Sequence, residues 1–501
     1  MDLGQLNSGL LAVLPEILLL ILGFIVIGVD LAAGVGANRK RLLGGVTTLG
    51  MVVVLIVVGL QTAPLVSGAR AQPALGNMVV ADLTTQLFRG MFVLAGALTC
   101  LISMDFKSLK QTGEYYGLVT FAVLGMCLMA AANDIIMLYV ALETTSISLY
   151  LLAGYLRGVP LSSEAGMKYF LFGAFTSTIL LYGLSLLYGF TGQTEYGALV
   201  AALRSQVASL GPDSVVPTVV VLILILVGFG FKVAAVPFHM WTPDVYEGAP
   251  TPITAFISVA SKAAGFAVLM RAFLTVFTPL QDEWVTLVSI LAVLTMTLGN
   301  LLAIPQRNIK RLLAYSSIAQ AGYVLIGVAS VTSGANAVFG PASVLFYLGA
   351  YMLTNIAAFV VVEIVANETG TENLYEMAGL SKRSFWLAMG LLLVMLSLAG
   401  VPPLAGFFAK FYVFQAAVGS GLVWLAIVGV LNAILGLYYY LIVIRVIFVD
   451  PSQGELTPVR MPLTLRAGLL LTTAGILILG VFVTPWYNLA TQAATTLVGG
   501  S

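Results

Sequence analysis

Three lysines and one glutamate sit inside long apolar runs: Lys232 in VGFGFKVAAV, Lys262 in ISVASKAAGF, Lys410 in GFFAKFYVF and Glu143 in LYVALETTSI. If these runs cross a membrane, each lysine costs roughly 2.5–3.5 kcal/mol at a helix centre, even on the lower scales, so each calls for a function and a partner. The chemistry open to such a set is reversible proton transfer. A nearby carboxylate favours a charged amine and desolvation favours a neutral one, so moving Glu143 relative to Lys232 changes the affinity of the amine for its proton. The competing reading of Glu143 and Lys232 is a structural ion pair. Lys262 lies about eleven residues into its run, too deep to snorkel comfortably, whereas Lys410 follows a double proline and either joins the relay or reaches an interface. His239 comes seven residues after Lys232 with Pro237 between them, so helical spacing does not put both on one face. Its imidazole suits proton transfer, and a hydrogen-bonded residue at a broken helix end is the other reading.

The elements that hold these residues follow from composition. Of 501 residues, 60% are hydrophobic and 9% charged, with mean hydropathy +1.05. Runs of about 20 apolar residues recur along the chain, each long enough to span roughly 30 Å of hydrocarbon as a helix. They are apolar all round, which excludes a β-barrel. A net charge of +1 without a basic cluster argues against nucleic acid. Cys100 and Cys127 are the only cysteines and His239 the only histidine, too few for an iron–sulfur cluster or a zinc site, and no dinucleotide fingerprint is present. No metal or cofactor is therefore expected on this chain. The first run, Leu10 to Val29, lacks a preceding basic region and reads as a permanent span, not a cleaved signal.

The runs predict an all-α integral membrane protein of about 14 transmembrane helices, near 11–32, 42–61, 86–104, 115–132, 134–154, 165–190, 216–240, 251–275, 284–304, 311–330, 341–365, 385–417, 422–448 and 466–488. With the amino terminus outward, fifteen of the 22 basic residues fall on inward loops, while Arg70, Arg89, Arg204 and Arg271 fall on outward segments. That bias predicts both termini outside. Spans seven and twelve are interrupted, the one by Pro237 and the other by Gly400, Pro402, Pro403 and Gly406. Five spans apart, they predict two inverted five-helix repeats, spans 4–8 and 9–13, with a path near the midplane. The corresponding divisions are 1–110, 111–280, 281–449 and 450–501.

Neighbouring spans carry polar residues: Thr144, Thr145, Ser146 and Ser148 after Glu143, then Asn300, Tyr315, Ser316, Ser317, Gln320, Thr354, Asn355 and Asn432. Singly these are interhelical glue; together they line a hydrated file. Glu363 and Arg445 are expected at an interface, and Asp244 and Glu247 as loop anchors.

Three stretches resemble a known family closely: KVAAVPFHMWTPDVYEGAPTPITAFISVASKAAGF, GNLLAIPQRNIKRLLAYSSIAQAGYVLIG and LSLAGVPPLAGFFAKFYVF. The family is the antiporter-like subunit N, or subunit 2, of NADH-quinone oxidoreductase, respiratory complex I and its photosynthetic relatives. ALETTSISLYLLAGYLRG and EAGMKYFLFGAFTS resemble its fifth and sixth spans, and the likeness runs from about Ala131 to Tyr440. The resemblance implies a proton-translocating module of a membrane arm in which Lys232 pairs with Glu143, Lys262 is the central relay and Lys410 communicates with the exit side, with His239 within the matching motif. Tyr315, Ser316 and Asn300 are further candidates for that path. It implies quinone, flavin, iron–sulfur clusters and NADH or another donor in partner subunits, with a small K-like and a homologous M-like subunit as neighbours, a peripheral redox arm, and a bacterial inner or thylakoid-type membrane. A lysine at 410 and DVYEGAPTP favour subunit N over its sibling M, and no long lateral helix is expected after the last span. A multi-subunit sodium/proton antiporter shares the fold and lysine pattern, and a spacer without pumping is the third reading.

Overall fold

The computed structural model describes residues 9–32, 38–110, 112–210, 215–332, 336–452 and 458–498. The extreme termini, whose outward placement the charge count predicts, lie outside the described residues. Twelve helices among the described residues are long and apolar enough to cross a membrane, and the shorter apolar helices Pro217–Val233 and Phe385–Ala399 stand at the two interrupted positions. Together they account for the fourteen expected spans. In order they are α1 Leu14–Ala32, α2 Arg39–Val66, α3 Leu83–Ser103, α4 Gly113–Ala131, α5 Ile135–Ala153, α6 Pro160–Thr191, α7 Val215–Val233, α8 Thr251–Val276, α9 Gln281–Ala303, α10 Ile309–Ala329, α11 Phe339–Thr369, α12 Phe385–Ala399, α13 Val423–Phe448 and α14 Leu463–Val481.

Burial sorts these helices by composition. Lipid is as apolar as leucine, so small and polar residues, not hydrophobicity, decide which faces meet protein. The α8 helix, rich in Ala, Ser and Thr, is wholly enclosed, and α10 and α11 are nearly so, whereas α1, α2, α13 and α14 leave most of their apolar windows uncovered. Their outer faces and those of α6 present Ile427, Leu431, Ile434, Phe170 and Phe175. Helix starts are fixed by side-chain caps: Asp82 accepts from Thr85 N at 2.7 Å, Asp134 from Ile136 N at 2.7 Å and Asn308 from Lys310 N at 2.8 Å.

Span eight is more than the simple helix the sequence predicts, since Ile257–Ser261 and Ala272–Val276 are π-helical and bracket the stretch beginning at Lys262. A hairpin, β1 Gln72–Ala74 with β2 Val79–Ala81, and the helices Tyr196–Leu210 and Val483–Val498 were not expected either. The last of these takes residues that the sequence reading assigned to span fourteen.

Three placements change. Arg89 and Arg271, counted on outward segments, are buried in ion pairs with Glu16 at 2.7 Å and Asp82 at 2.9 Å. Charge counting locates helix ends and is blind to pairing within the bundle. Glu363, expected at an interface, is likewise buried, whereas Arg445 is exposed and pairs with Asp450 at 3.1 Å.

Candidate functional site: buried lysines beside two broken helices

The first break follows Val233. Ala234 takes φ +60°, the Val236–Pro237 peptide is cis, and the chain turns through His239 into the short helix Trp241–Gly248. Inside a bilayer the backbone groups freed by such a turn need new partners. They have them: Val236 N donates to Thr295 Oγ1 at 2.9 Å, Ala235 N to Gly230 O at 2.8 Å, and Trp241 Nε1 to Phe231 O at 3.2 Å. The second break follows Ala399. Gly400 takes φ +88°, Pro402–Pro403 is cis, and the helix resumes over Ala405–Gly419 with Gly406 N donating to Ser397 Oγ at 3.2 Å.

Lys232 sits on the last turn before the first break, is 2% exposed, and its Nζ has no hydrogen-bond partner. A Cβ on Gly265 of α8 would lie 3.0 Å from Lys232 Cβ, so the lysine-bearing turn packs directly against the helix of Lys262. Glu143, half-buried on α5, accepts a hydrogen bond from the Ser177 hydroxyl of α6, which lies 3.3 Å from Tyr139 Oη. Glu143 is not among the ion pairs formed by the described residues, so the expected Glu143–Lys232 contact is open in this conformation.

Lys262 is enclosed as deeply. Its Nζ donates to Ser317 O at 2.8 Å and to Ser317 Oγ at 2.6 Å, and it stands 5.9 Å from the centre of the Tyr246 ring. Tyr246 Oη lies 3.2 Å from the same Ser317 hydroxyl. From the next residue, Ser316, a second set of bonds runs on. Ser316 Oγ meets Tyr440 Oη at 2.6 Å, Gln320 Nε2 donates to Tyr440 Oη at 3.0 Å and to Leu398 O at 3.2 Å, and Tyr347 donates to Gln320 Oε1. Leu398 O is also an acceptor for Lys410, whose Nζ donates to it at 2.9 Å and to Ala399 O at 3.0 Å. These are the carbonyls that the end of α12 leaves unpaired. Tyr323 offers its ring 5.1 Å from Lys410 Nζ and accepts from Asn300 Nδ2 at 3.0 Å. Asn300 also joins Asn432 and Tyr439.

Ser316 and Asn300 therefore belong to this file. Tyr315 does not: it is half-buried among apolar side chains and contributes no hydrogen bond to the set. His239 is half-buried in the first break, and its carbonyl accepts from Thr242 N at 2.9 Å. Tyr246, Gln320, Tyr347 and Tyr440 are central, and of these the sequence reading singled out only Gln320. A tyrosine buried in a membrane span is the signal for Tyr347 and Tyr440, since its hydroxyl needs a partner there; Tyr246 lies between spans, in Trp241–Gly248.

The turn of DVYEGAPTP is clamped at the end of the bundle that carries Lys40, Arg307 and Arg311. Arg311 bonds Asp244 at 2.8 Å and Glu247 at 2.7 Å, and Lys168 bonds Asp244 at 2.5 Å and Glu164 at 2.7 Å. Lys310 donates to the Glu247 and Ala249 carbonyls and pairs with Glu372 at 3.1 Å. Asp244 and Glu247 thus anchor the turn, as expected. Burial pushes the Asp244 carboxyl up, but the bonds from Lys168 and Arg311 outweigh it and hold the group below its ordinary value. Among the described residues no cluster of three metal-ligating side chains occurs.

The sequence-family profile described as NADH:quinone oxidoreductase/Mrp antiporter, TM matches residues 132–436, the stretch that contains Glu143 and all three lysines. NADH-quinone oxidoreductase subunit N of Trichlorobacter lovleyi is 42% identical over 96% of both chains. NAD(P)H-quinone oxidoreductase subunit 2 of a Synechococcus species is 41% identical over 98% of this chain and 92% of its own. A chain of respiratory complex I from Thermus thermophilus, solved with bound aureothin, superposes with a TM-score of 0.78 at 31% identity, covering 95% of this chain and 99% of that one. A chain of the Mrp complex from Dietzia sp. shares the fold, with a TM-score of 0.86 at 22% identity over 99% of this chain and 98% of its own. The buried lysines, the two broken helices and these likenesses agree, and the chain belongs to the antiporter-like subunit N family of NADH-quinone oxidoreductase.

Proposed function

We propose that this chain is a proton-translocating membrane-arm subunit in which Glu143, Lys232, Lys262 and Lys410 pass protons along the membrane interior. The observation that carries this reading is the polar file from Lys262 through Ser317, Ser316, Tyr440 and Gln320 to the carbonyl shared with Lys410. It brings lysines from the two halves of the chain to one polar set, in which the hydroxyls and the Gln320 amide both donate and accept and the Leu398 carbonyl accepts from both sides. Lys232, packed against α8 but without a hydrogen bond, is the member whose proton is governed by the distance to Glu143. The carboxylate is held by Ser177 and forms no ion pair with the amine among the described residues. That is the discharging state of the switch; approach of Glu143 to Lys232 is the loading state.

Two proposals about assembly go with this. The repeats run from 111–280 and 281–449, and the basic end of the bundle faces inward, with both termini outside. Moving one charge across 100 mV takes about 2.3 kcal/mol, so the drive comes from quinone reduction in partner subunits that carry the flavin and iron–sulfur clusters, transmitted through K-like and M-like neighbours.

The test is Lys262→Met in the assembled complex, reconstituted in vesicles and scored for protons moved per quinone reduced. A loss of pumping with quinone reduction retained supports the relay; unchanged pumping refutes it. Sodium-dependent proton exchange by a purified assembly free of redox subunits would instead favour the antiporter reading.

A further inference from the structure

A second acidic centre lies outside the lysine file. Glu363, near the end of α11, is 2% exposed and accepts from Asn367 Nδ2 at 2.6 Å. It lines a cavity of about 560 Å³ at the basic end of the bundle, together with Glu247, Thr251, Arg307, Lys310 and Glu372. A polar space of that size accommodates several waters. Lys310, the buried cation on its wall, is already committed to Glu372 and two carbonyls. Glu363 is thus a carboxyl inside the protein, reached from an aqueous cavity and not held by an ion pair among the described residues.

From that cavity one face of α8 leads inward. Thr251, Thr254, Ser258 and Lys262 recur at intervals of three to four residues, which places them in a line along one side of the helix. All four are buried. The π-helical turn Ile257–Ser261 contains Ser258 and ends directly before Lys262. Opposite this face stands α11. Asn355 Nδ2 donates to Ser258 Oγ at 2.6 Å, and Glu363 lies eight residues further along the same helix, about two turns. The hydroxyls give their own protons to backbone carbonyls, Thr254 to Tyr246 O at 3.0 Å and Ser258 to Ala255 O at 2.7 Å. Each keeps a lone pair to receive, Ser258 the one that Asn355 does not occupy. From Thr251 to Lys262 the helix rises about 16 Å, too far for one transfer, so the route needs waters between successive hydroxyls.

We propose that Glu363 loads Lys262 from the basic end along the Thr251–Thr254–Ser258 face of α8, so that Lys262 fills without its proton passing through Lys232. In the step, a hydronium ion reaching the cavity from the aqueous side protonates the Glu363 carboxylate and leaves water. The carboxylic O–H then breaks as an N–H forms on the neutral Lys262 amine, with waters on the α8 face relaying the charge, and carboxylate and ammonium remain. The inference rests on the relay reading of Lys262 and adds to it the source of its proton.

The experiment compares Glu363→Gln, Glu363→Asp and Lys262→Met in the assembled complex in vesicles, reading protons moved per quinone reduced. The expected result is that Glu363→Gln falls to the level of Lys262→Met while Glu363→Asp recovers pumping. A drop in Lys262→Met with full pumping in Glu363→Gln overturns the loading route and leaves the relay standing; full pumping in Lys262→Met overturns the relay itself. Should Glu363→Gln assemble poorly, Glu363→Cys is treated with a membrane-impermeant anionic thiol reagent from the basic side. Cys100 and Cys127 are wholly buried and do not compete. Glu363→Cys lacks the carboxyl and is expected not to pump; recovery of pumping when the reagent is iodoacetate, which leaves a carboxylate on the sulfur, supports the route, and full pumping before treatment or modification without recovery overturns it.

Discussion

Gly400 offers the sharpest test of how the second break holds Lys410. It follows α12 with φ +88° and ψ 44°, a left-handed conformation that costs an alanine about 1–2 kcal/mol. A Cβ there would meet Lys410 Cδ at 3.1 Å and Nζ at 3.5 Å. The first distance is a few tenths of an ångström tighter than ordinary contact, so the lysine stem must retreat by that amount. Its two bonds, now 2.9 and 3.0 Å, then approach about 3.2 Å, the long end for N–H···O. Gly400→Ala is therefore expected to destabilise the break by about 1–2 kcal/mol, a factor of roughly 5–30 in the ratio of folded to open forms, and to lower pumping in proportion to the displaced amine. The control is Gly59→Ala, a helical position where an added Cβ meets nothing within 4 Å; there the change is expected to be neutral or to stabilise by up to about 1 kcal/mol. The assay is the rate of thermal inactivation of the assembled complex, with protons per quinone measured before heating. If Gly400→Ala inactivates no faster than Gly59→Ala and pumps like the parent, the account of Lys410 held by the broken helix end is wrong.

Further expectations concern the groups around the file. Asn300→Val leaves Tyr439, Tyr323 and Asn432 short of partners; at about 0.6 kcal/mol per interhelical bond, the three residues together predict a loss near 2 kcal/mol, checked by the thermal midpoint. Arg311→Ala leaves Glu247 with only the Asn308 amide and removes half of the Asp244 clamp, and faster proteolytic cleavage near Trp241–Gly248 is the expected sign. Because Asp244 titrates below its ordinary value, its contribution to the clamp is present above the unfolded carboxylate range and is lost only as pH falls through the depressed value; cleavage near this turn should therefore rise only under acid conditions. Ser177→Ala and Glu143→Gln should be non-additive in pumping, since the hydroxyl acts through the carboxylate; additive losses would separate them.

How much of this could be read beforehand depends on the kind of signal. The breaks were legible because proline and glycine inside an apolar run leave few alternatives in lipid. Lys232, Lys262 and Lys410 were legible because charge in such a run is expensive. Partners were not. Arg271 and Asp82 are 189 residues apart and Arg311 and Asp244 are 67 apart, and no local period links them. Tyr440 lies in LGLYYYL, where one tyrosine of three turns to Ser316 and its neighbour Tyr438 faces outward, a choice made by packing. The π-helical turns of α8 leave no mark in composition, since ISVAS is as compatible with an α-helix.

The three lysines are not equivalent, and the difference yields a prediction that a uniform relay would not. Lys262 and Lys410 share an environment: two oxygen acceptors within 3.0 Å and a tyrosine face within about 6 Å, from Tyr246 in one half and Tyr323 in the other. Lys232 has none of these and is equally buried. A buried amine without a hydrogen bond carries a desolvation cost that its surroundings do not offset, whereas removing a well-bonded one strands its acceptors. Methionine matches the lysine stem in length and is apolar. Lys262→Met and Lys410→Met are accordingly expected to lower the thermal midpoint of the complex, while Lys232→Met should leave it unchanged or raise it, with pumping lost in all three. If Lys232→Met destabilises as much as the other two, then Lys232 is held by Glu143 in the resting complex, and the open contact seen here is not the resting state of the switch.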